Sequence, residues 1–184
     1  MRVVGIQTSP NSDGLTATCA KQALEGAKEA GAGVELVNLC ELNIEHCRQC
    51  DNGWGTCRKE GRCSTEDDFQ GLRERLWKAD AVVLSTPVYY GDLSESCKAF
   101  LDRLRRCEAT QRENSKMRGK RVLAVAAAGG GGGGTVSCSA TIERMFTHLG
   151  MPIFDIIPIR RRTKSYILPA LVGAGKGLVE WEGD

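Results

Sequence analysis

The chain has 184 residues, 41% of them hydrophobic and 26% charged, with a formal net charge of +2. That length holds one domain with a real core, and the near-balanced charge gives no electrostatic case for nucleic acid or a membrane surface as partner. No apolar run approaches the ~20 residues of a membrane span, and the start lacks the basic-then-apolar layout of a secretion signal, so a cytoplasmic protein is expected.

The β-branched run Val3-Val4-Gly5-Ile6-Gln7 predicts a strand over about Arg2 to Gln7. It stops at the hydroxyl-rich turn Thr8-Ser9-Pro10-Asn11-Ser12-Asp13-Gly14-Leu15-Thr16, which feeds a segment with helical spacing at Leu15, Cys19, Ala23, Leu24 and Ala27. Strand, turn and helix start make an anion site, because the first N–H groups of a helix lack internal partners and the dipole adds partial positive charge. Ser9, Ser12 and Thr16 add hydroxyl donors, while Pro10 and Gly14 suit a sharp turn close to a ligand. The pattern is neither G-x-x-x-x-G-K-[ST] nor G-x-G-x-x-G, which disfavours a nucleoside triphosphatase and a typical dinucleotide fold. With no Lys or Arg in the loop, a phosphate here would rest on N–H and O–H groups. An ordinary helix capped by Ser12 or Asp13 is the competing reading.

Residues 34–39 alternate at period two and read as the second strand. Residues 40–65 then form a long irregular stretch carrying Cys47, Cys50, Cys57 and Cys63, and a gap that long inside a compact domain is usually functional. Phe69, Leu72 and Leu76 mark a helix face. Residues 81–85 are continuously apolar, as in a strand covered on both sides. That strand ends in Thr86-Pro87-Val88-Tyr89-Tyr90-Gly91, where Pro87 stiffens the loop, Gly91 permits positive φ, and the tyrosines offer walls to a flat ring. Two tyrosines that simply pack on neighbours are the alternative.

Leu93, Cys97, Phe100, Leu101 and Leu104 share the next helical face. A fourth strand over Arg121 to Ala128 runs into six glycines, Gly129 to Gly134. Another helix follows, and residues 151–157 make the fifth strand. This alternation predicts an α/β fold with a five-stranded parallel sheet and helices on both faces. Ligands then bind beyond the carboxyl ends of the strands, where residues 8–16, 86–91 and 129–134 converge.

After the last strand, Arg160-Arg161-Arg162 and Lys164 read first as solvated surface, with contact to NADPH phosphates or a partner subunit as the lesser alternative. Residues 166–171 suit a short helix or extended arm, and Gly173-Ala174-Gly175-Lys176-Gly177 a flexible end. The expected organisation is one domain over 1–160 with a cysteine-rich insertion at 40–65, then a tail or arm over 161–184.

Residues 1–158 resemble the flavodoxin-like NAD(P)H-dependent FMN reductases and, more narrowly, the iron–sulfur flavoproteins. The resemblance rests on Ser9-Pro10-Asn11-Ser12-Asp13-Gly14-Leu15-Thr16, on Cys47-Arg48-Gln49-Cys50 and on Asp67-Asp68-Phe69. Its most specific part runs from Ala79-Asp80 through Ser85-Thr86-Pro87-Val88-Tyr89-Tyr90-Gly91 to Lys98-Ala99-Phe100-Leu101-Asp102-Arg103. It implies FMN, with the phosphate held by Ser9, Asn11, Ser12, Gly14, Leu15 and Thr16. The ring would lie against Pro87, Val88, Tyr89, Tyr90 and Gly91, flanked by Ala128, Gly129 and Gly130. It also implies a homodimer or homotetramer with subunit contacts near the flavin. No side-chain acid or base is expected, because the flavin carries the chemistry.

The four loop cysteines follow C-x2-C-x6-C-x5-C on a glycine-punctuated segment, which could wrap a [4Fe–4S] cluster as metal ligands. Arg48, Arg58, Lys59 and Arg62 favour thiolate there. Six residues, Trp54 among them, separate the second and third cysteines, a wider gap than iron–sulfur flavoproteins show. A four-thiolate zinc and plain thiols are the competing readings. Cys19, Cys97, Cys107 and Cys138 fall on helices and read as buried small residues.

The function expected is electron transfer through FMN. With a cluster, single electrons would pass to or from a protein such as ferredoxin. Without one, NAD(P)H would reduce the flavin, and a quinone, free flavin or other small-molecule acceptor would reoxidise it. A non-enzymatic flavodoxin-like carrier or FMN-binding regulatory module is the alternative from a different class. The chain has no H-E-x-x-H around His46 or His148 and no G-x-S-x-G, which argues against a zinc or serine hydrolase.

Overall fold

The structure, a computed structural model, describes residues 1–183. Five strands pair in parallel: β1 (Arg2–Gln7), β2 (Gly33–Asn38), β3 (Ala81–Pro87), β4 (Arg121–Ala128) and β5 (Ile153–Arg160). The spatial order is β2-β1-β3-β4-β5, the flavodoxin-like arrangement. Strand order reverses between β1 and β3, so the crevice for a ligand opens there.

Of six helices among the described residues, α1 (Leu15–Glu29), α3 (Phe69–Trp77), α4 (Glu95–Glu108), α5 (Thr135–His148) and α6 (Lys164–Glu180) cover the sheet, while the single turn α2 (Thr56–Lys59) packs on α4. Period two along the strands divides the core. Val3, Val83 and Leu123 turn toward α1 and α6, where they meet Ala23, Leu24 and Leu178. Val4, Val82 and Val122 turn the other way, onto Phe69, Phe100 and Phe146 of α3, α4 and α5. Both faces are thus apolar, and every residue of β3 is buried.

Two expectations change. β5 runs on to Arg160, and Pro158 fits within it because an edge strand leaves its missing N–H without consequence. Residues 173–177, expected to be a flexible end, instead continue the helix that 166–171 begin: α6 lies along α1 (residue 184 lies outside the described residues). Its glycines are the reason. A Cβ on Gly175 would overlap the Ala23 carbonyl, and one on Gly26 the Val172 carbonyl, so only bare backbone lets the two helices approach this closely.

The cysteine-rich segment follows β2 and folds back over α4. Arg103 fixes it there, donating 2.9 Å to the Glu45 carbonyl and 2.8 Å to Asp67, over the Phe69 ring at 4.3 Å. Asp67 also accepts from the backbone N–H groups of Glu45 and Phe69.

Candidate functional site

A cleft of about 690 Å3 lies at the carboxyl ends of β1, β3 and β4. Its first wall is the loop after β1. The Gln7 side chain clamps Ser9 from both sides, accepting from its N–H and donating to its carbonyl at 2.9 Å each. Ser9 Oγ then accepts from the Asn11 N–H, and Asn11 Oδ1 from the Asp13 N–H. These bonds occupy the N–H groups of Ser9, Asn11 and Asp13. At the start of α1 the reverse holds: Gly14 provides no side-chain cap, and no acid stands in the first turn. The first N–H groups of α1 are therefore free to take an anion. A Cβ at Gly14 would sit tightly, 3.1 Å from the end of the Asn11 side chain, which would have to shift slightly to admit it.

The second wall is the loop after β3. Tyr89 and Asp92 exchange backbone hydrogen bonds at 2.9 and 3.0 Å, closing a two-residue turn with φ of 50° at Tyr90 and 84° at Gly91. That turn throws Tyr90 fully into solvent, while Tyr89 stays against the cleft. Gly91 instead meets the third loop: a Cβ on Gly134 would stand 2.5 Å from its Cα, and Ser137 Oγ donates to its carbonyl at 2.7 Å.

The structure thus gathers most of the expected residues in one place. Ser9, Asn11, Gly14, Leu15 and Thr16 line the cleft, as do Pro87, Val88 and Tyr89, and Gly129 and Gly130. Ser12, Tyr90, Gly91 and Ala128 do not. Ser12 and Tyr90 point to solvent, Gly91 braces the neighbouring loop, and Ala128 is buried in the sheet.

Five lining residues lie outside the expected set: Asp13, which brings one carboxylate to the phosphate end, Thr18, Ala127 and the two cations Arg161 and Lys164. Arg161 and Lys164 stand just before and at the start of α6, where the helix dipole favours anions over cations, and neither forms an ion pair among the described residues. The basic cluster was visible in sequence. Only the α1–α6 packing brings it to the first loop.

The cysteines divide. Cys19, Cys97, Cys107 and Cys138 are buried, and burial pushes each thiol up to about 12. Cys57 and Cys63 pack against the core beneath the segment, whereas Cys50 is exposed with Ser64 Oγ 3.5 Å away. Among the described residues no three His, Cys, Asp or Glu side chains are gathered as metal ligands. The four-thiolate set expected of Cys47, Cys50, Cys57 and Cys63 is therefore not assembled, and this arrangement does not fit a cluster. The residues of the cleft, by contrast, suit a phosphorylated ring compound: bare helix N–H groups and two cations at one end, an aromatic wall and bare glycine at the other.

The family model described as NADPH-dependent FMN reductase matches residues 1–156. An iron-sulfur flavoprotein of Methanocaldococcus jannaschii is 32% identical over 105 residues, 57% of this chain and 52% of that protein. A second from the same organism is 36% identical over 127 residues, 68% of this chain and 61% of that protein. The chain thus spans only about half to three fifths of these relatives. Among solved structures, an NAD(P)H:quinone oxidoreductase from Methanothermobacter marburgensis superposes with a TM-score of 0.81 at 18% identity, covering 100% of this chain and 98% of that one. That likeness establishes the fold. Among the described residues no helix is long and apolar enough to cross a membrane.

Proposed function

The chain belongs to the NADPH-dependent FMN reductase family, and from that membership we propose that it binds FMN noncovalently in the cleft and passes electrons from a reduced nicotinamide to a small oxidant. The observation that carries the proposal is the meeting of the uncapped start of α1 with Arg161 and Lys164 across one volume. When bound, FMN supplies the redox chemistry, and the protein supplies binding and orientation. The N–H groups of Leu15 and Thr16 and the hydroxyl of Ser9 would hold the phosphate, with Arg161 and Lys164 offsetting its charge. Pro87, Val88 and Tyr89 would wall the ring. Gly129 and Gly130 leave the opposite rim without side chains, so nicotinamide and acceptor would take the same place in turn, in a ping-pong cycle.

The test is a titration of the protein with FMN followed by anaerobic addition of NADPH or NADH. Bound flavin that bleaches with either donor and recovers with a quinone is the expected result. Protein that stays flavin-free in excess FMN would overturn the proposal, and bound flavin inert to both donors would favour an electron carrier. Arg161→Gln and Lys164→Gln should each weaken FMN about tenfold, the scale of one lost charge-assisted hydrogen bond. Riboflavin, which lacks the phosphate, should bind the variants as it binds the parent.

A cluster-bearing enzyme exchanging electrons with ferredoxin is the second reading, favoured by the four-thiol segment together with the names of the curated relatives. It requires the segment to rearrange, and iron and sulfide analysis of anaerobically purified protein decides it. A homodimer or homotetramer is proposed for either version, because Tyr90 and Val136 stand exposed beside the Gly91–Gly134 contact. Sedimentation velocity tests it.

A further inference from the structure

A second cavity, of about 330 Å3, lies between the cysteine-rich segment and the carboxyl ends of α4 and α5. Its walls carry Arg58, Arg105, Arg106, Arg112, Thr110 and His148, and no Asp or Glu lines it among the described residues. None of the four guanidinium groups forms an ion pair among those residues. Arg58 lies over the Trp54 ring at 4.4 Å, and Arg106 gives one N–H to the Gly53 carbonyl while its Nε is buried without a partner. Arg112 is held at φ 51°, a backbone region that disfavours any residue but glycine.

Helix dipoles explain part of this. Cations suit the ends of α4 and α5, but each terminus offers only about half a negative charge, and guanidinium stays charged at any ordinary pH. About one unit of compensation faces four full charges from two separate parts of the chain. A ligand with several charged oxygens supplies the rest, and the planar forks of arginine match phosphoryl oxygens two at a time. The volume stands at the small end of ligand cavities, enough for a phosphoryl group with a compact body.

The geometry points to a second anion site here, distinct from the flavin cleft, that takes the phosphoryl group of a small, multiply charged ligand. Its occupant would tie Arg58 of the cysteine-rich segment to Arg105, Arg106 and Arg112 beyond it.

Inorganic pyrophosphate is the probe, titrated calorimetrically into protein already saturated with FMN so that the first site cannot answer for the second. Saturable one-to-one binding is expected. Arg105→Gln and Arg112→Gly should each weaken it at least tenfold, and Lys28→Gln on the far side of the fold should not. Arg112→Gly also relieves the strained backbone, so its lost affinity cannot be a failure to fold. Heat no greater than sodium chloride gives at matched ionic strength would overturn the site, and so would equal affinity in all three variants. Citrate binding as tightly as pyrophosphate would overturn the phosphoryl assignment.

Discussion

Arg103 and Asp67 show what one residue pair does for this molecule. Both side chains are essentially inaccessible to solvent, and the guanidinium holds the aspartate while reaching the Glu45 backbone. Burial pushes the Asp67 carboxyl up, but the Arg103 bond and two backbone N–H donors outweigh it and hold the group below the usual carboxylate range. Asp67→Asn should cost about 3–5 kcal/mol, because it strands a buried cation. A carboxyl depressed in the folded chain stabilises it fully above the unfolded value of about 3.9 and ceases to as pH falls through the folded value. The gap between parent and variant in urea melts should therefore hold from pH 7 to about 5 and narrow below about 4. The helix face that follows Asp67, of Phe69, Leu72 and Leu76, was legible in the sequence. The partner 36 residues away was not, since local pattern carries no information about which distant cation a carboxylate meets.

At the scale of elements, the strands and four of the helices, α1, α3, α4 and α5, could be read because apolar runs and helical spacing coincide with burial. The three loops at the strand ends could be read from their glycines, prolines and hydroxyls directly after apolar strands. Helix α6 could be read only in its first part, where residues 166–171 suit a short helix or arm. Glycine lowers helix propensity by about 1 kcal/mol per residue, and Gly173, Gly175 and Gly177 read locally as a chain that will not hold a helix. Contact with α1 overrides that preference, because small residues are what the interface needs. Gly175→Val should thus improve the helix in isolation and still destabilise the protein by about 1–3 kcal/mol through overpacking. A lower denaturant midpoint at unchanged slope is the expected measurement. Loss of FMN affinity should accompany it, since α6 carries Lys164 into the cleft.

Across the whole molecule, the nine cysteines sort by depth. Five are open or half-open, Cys40, Cys47, Cys50, Cys57 and Cys63, and four are buried with thiols raised to about 12. A chromogenic disulfide at pH 8 should label no more than the first five in native protein and the last four only in denaturant. The count of helix cysteines was legible from spacing. Whether the loop cysteines converge was not, because the irregular stretch over 40–65 has no periodicity from which to infer its path. The polyglycine rim has a different importance. Around Gly129, Gly130 and Gly131 nothing stands within 4 Å of where a side chain would begin, and none of the three needs a left-handed backbone. Evolution or an engineer could install bulk, charge or a hydroxyl there one position at a time, reshaping the mouth of the cleft while the underlying framework stays untouched.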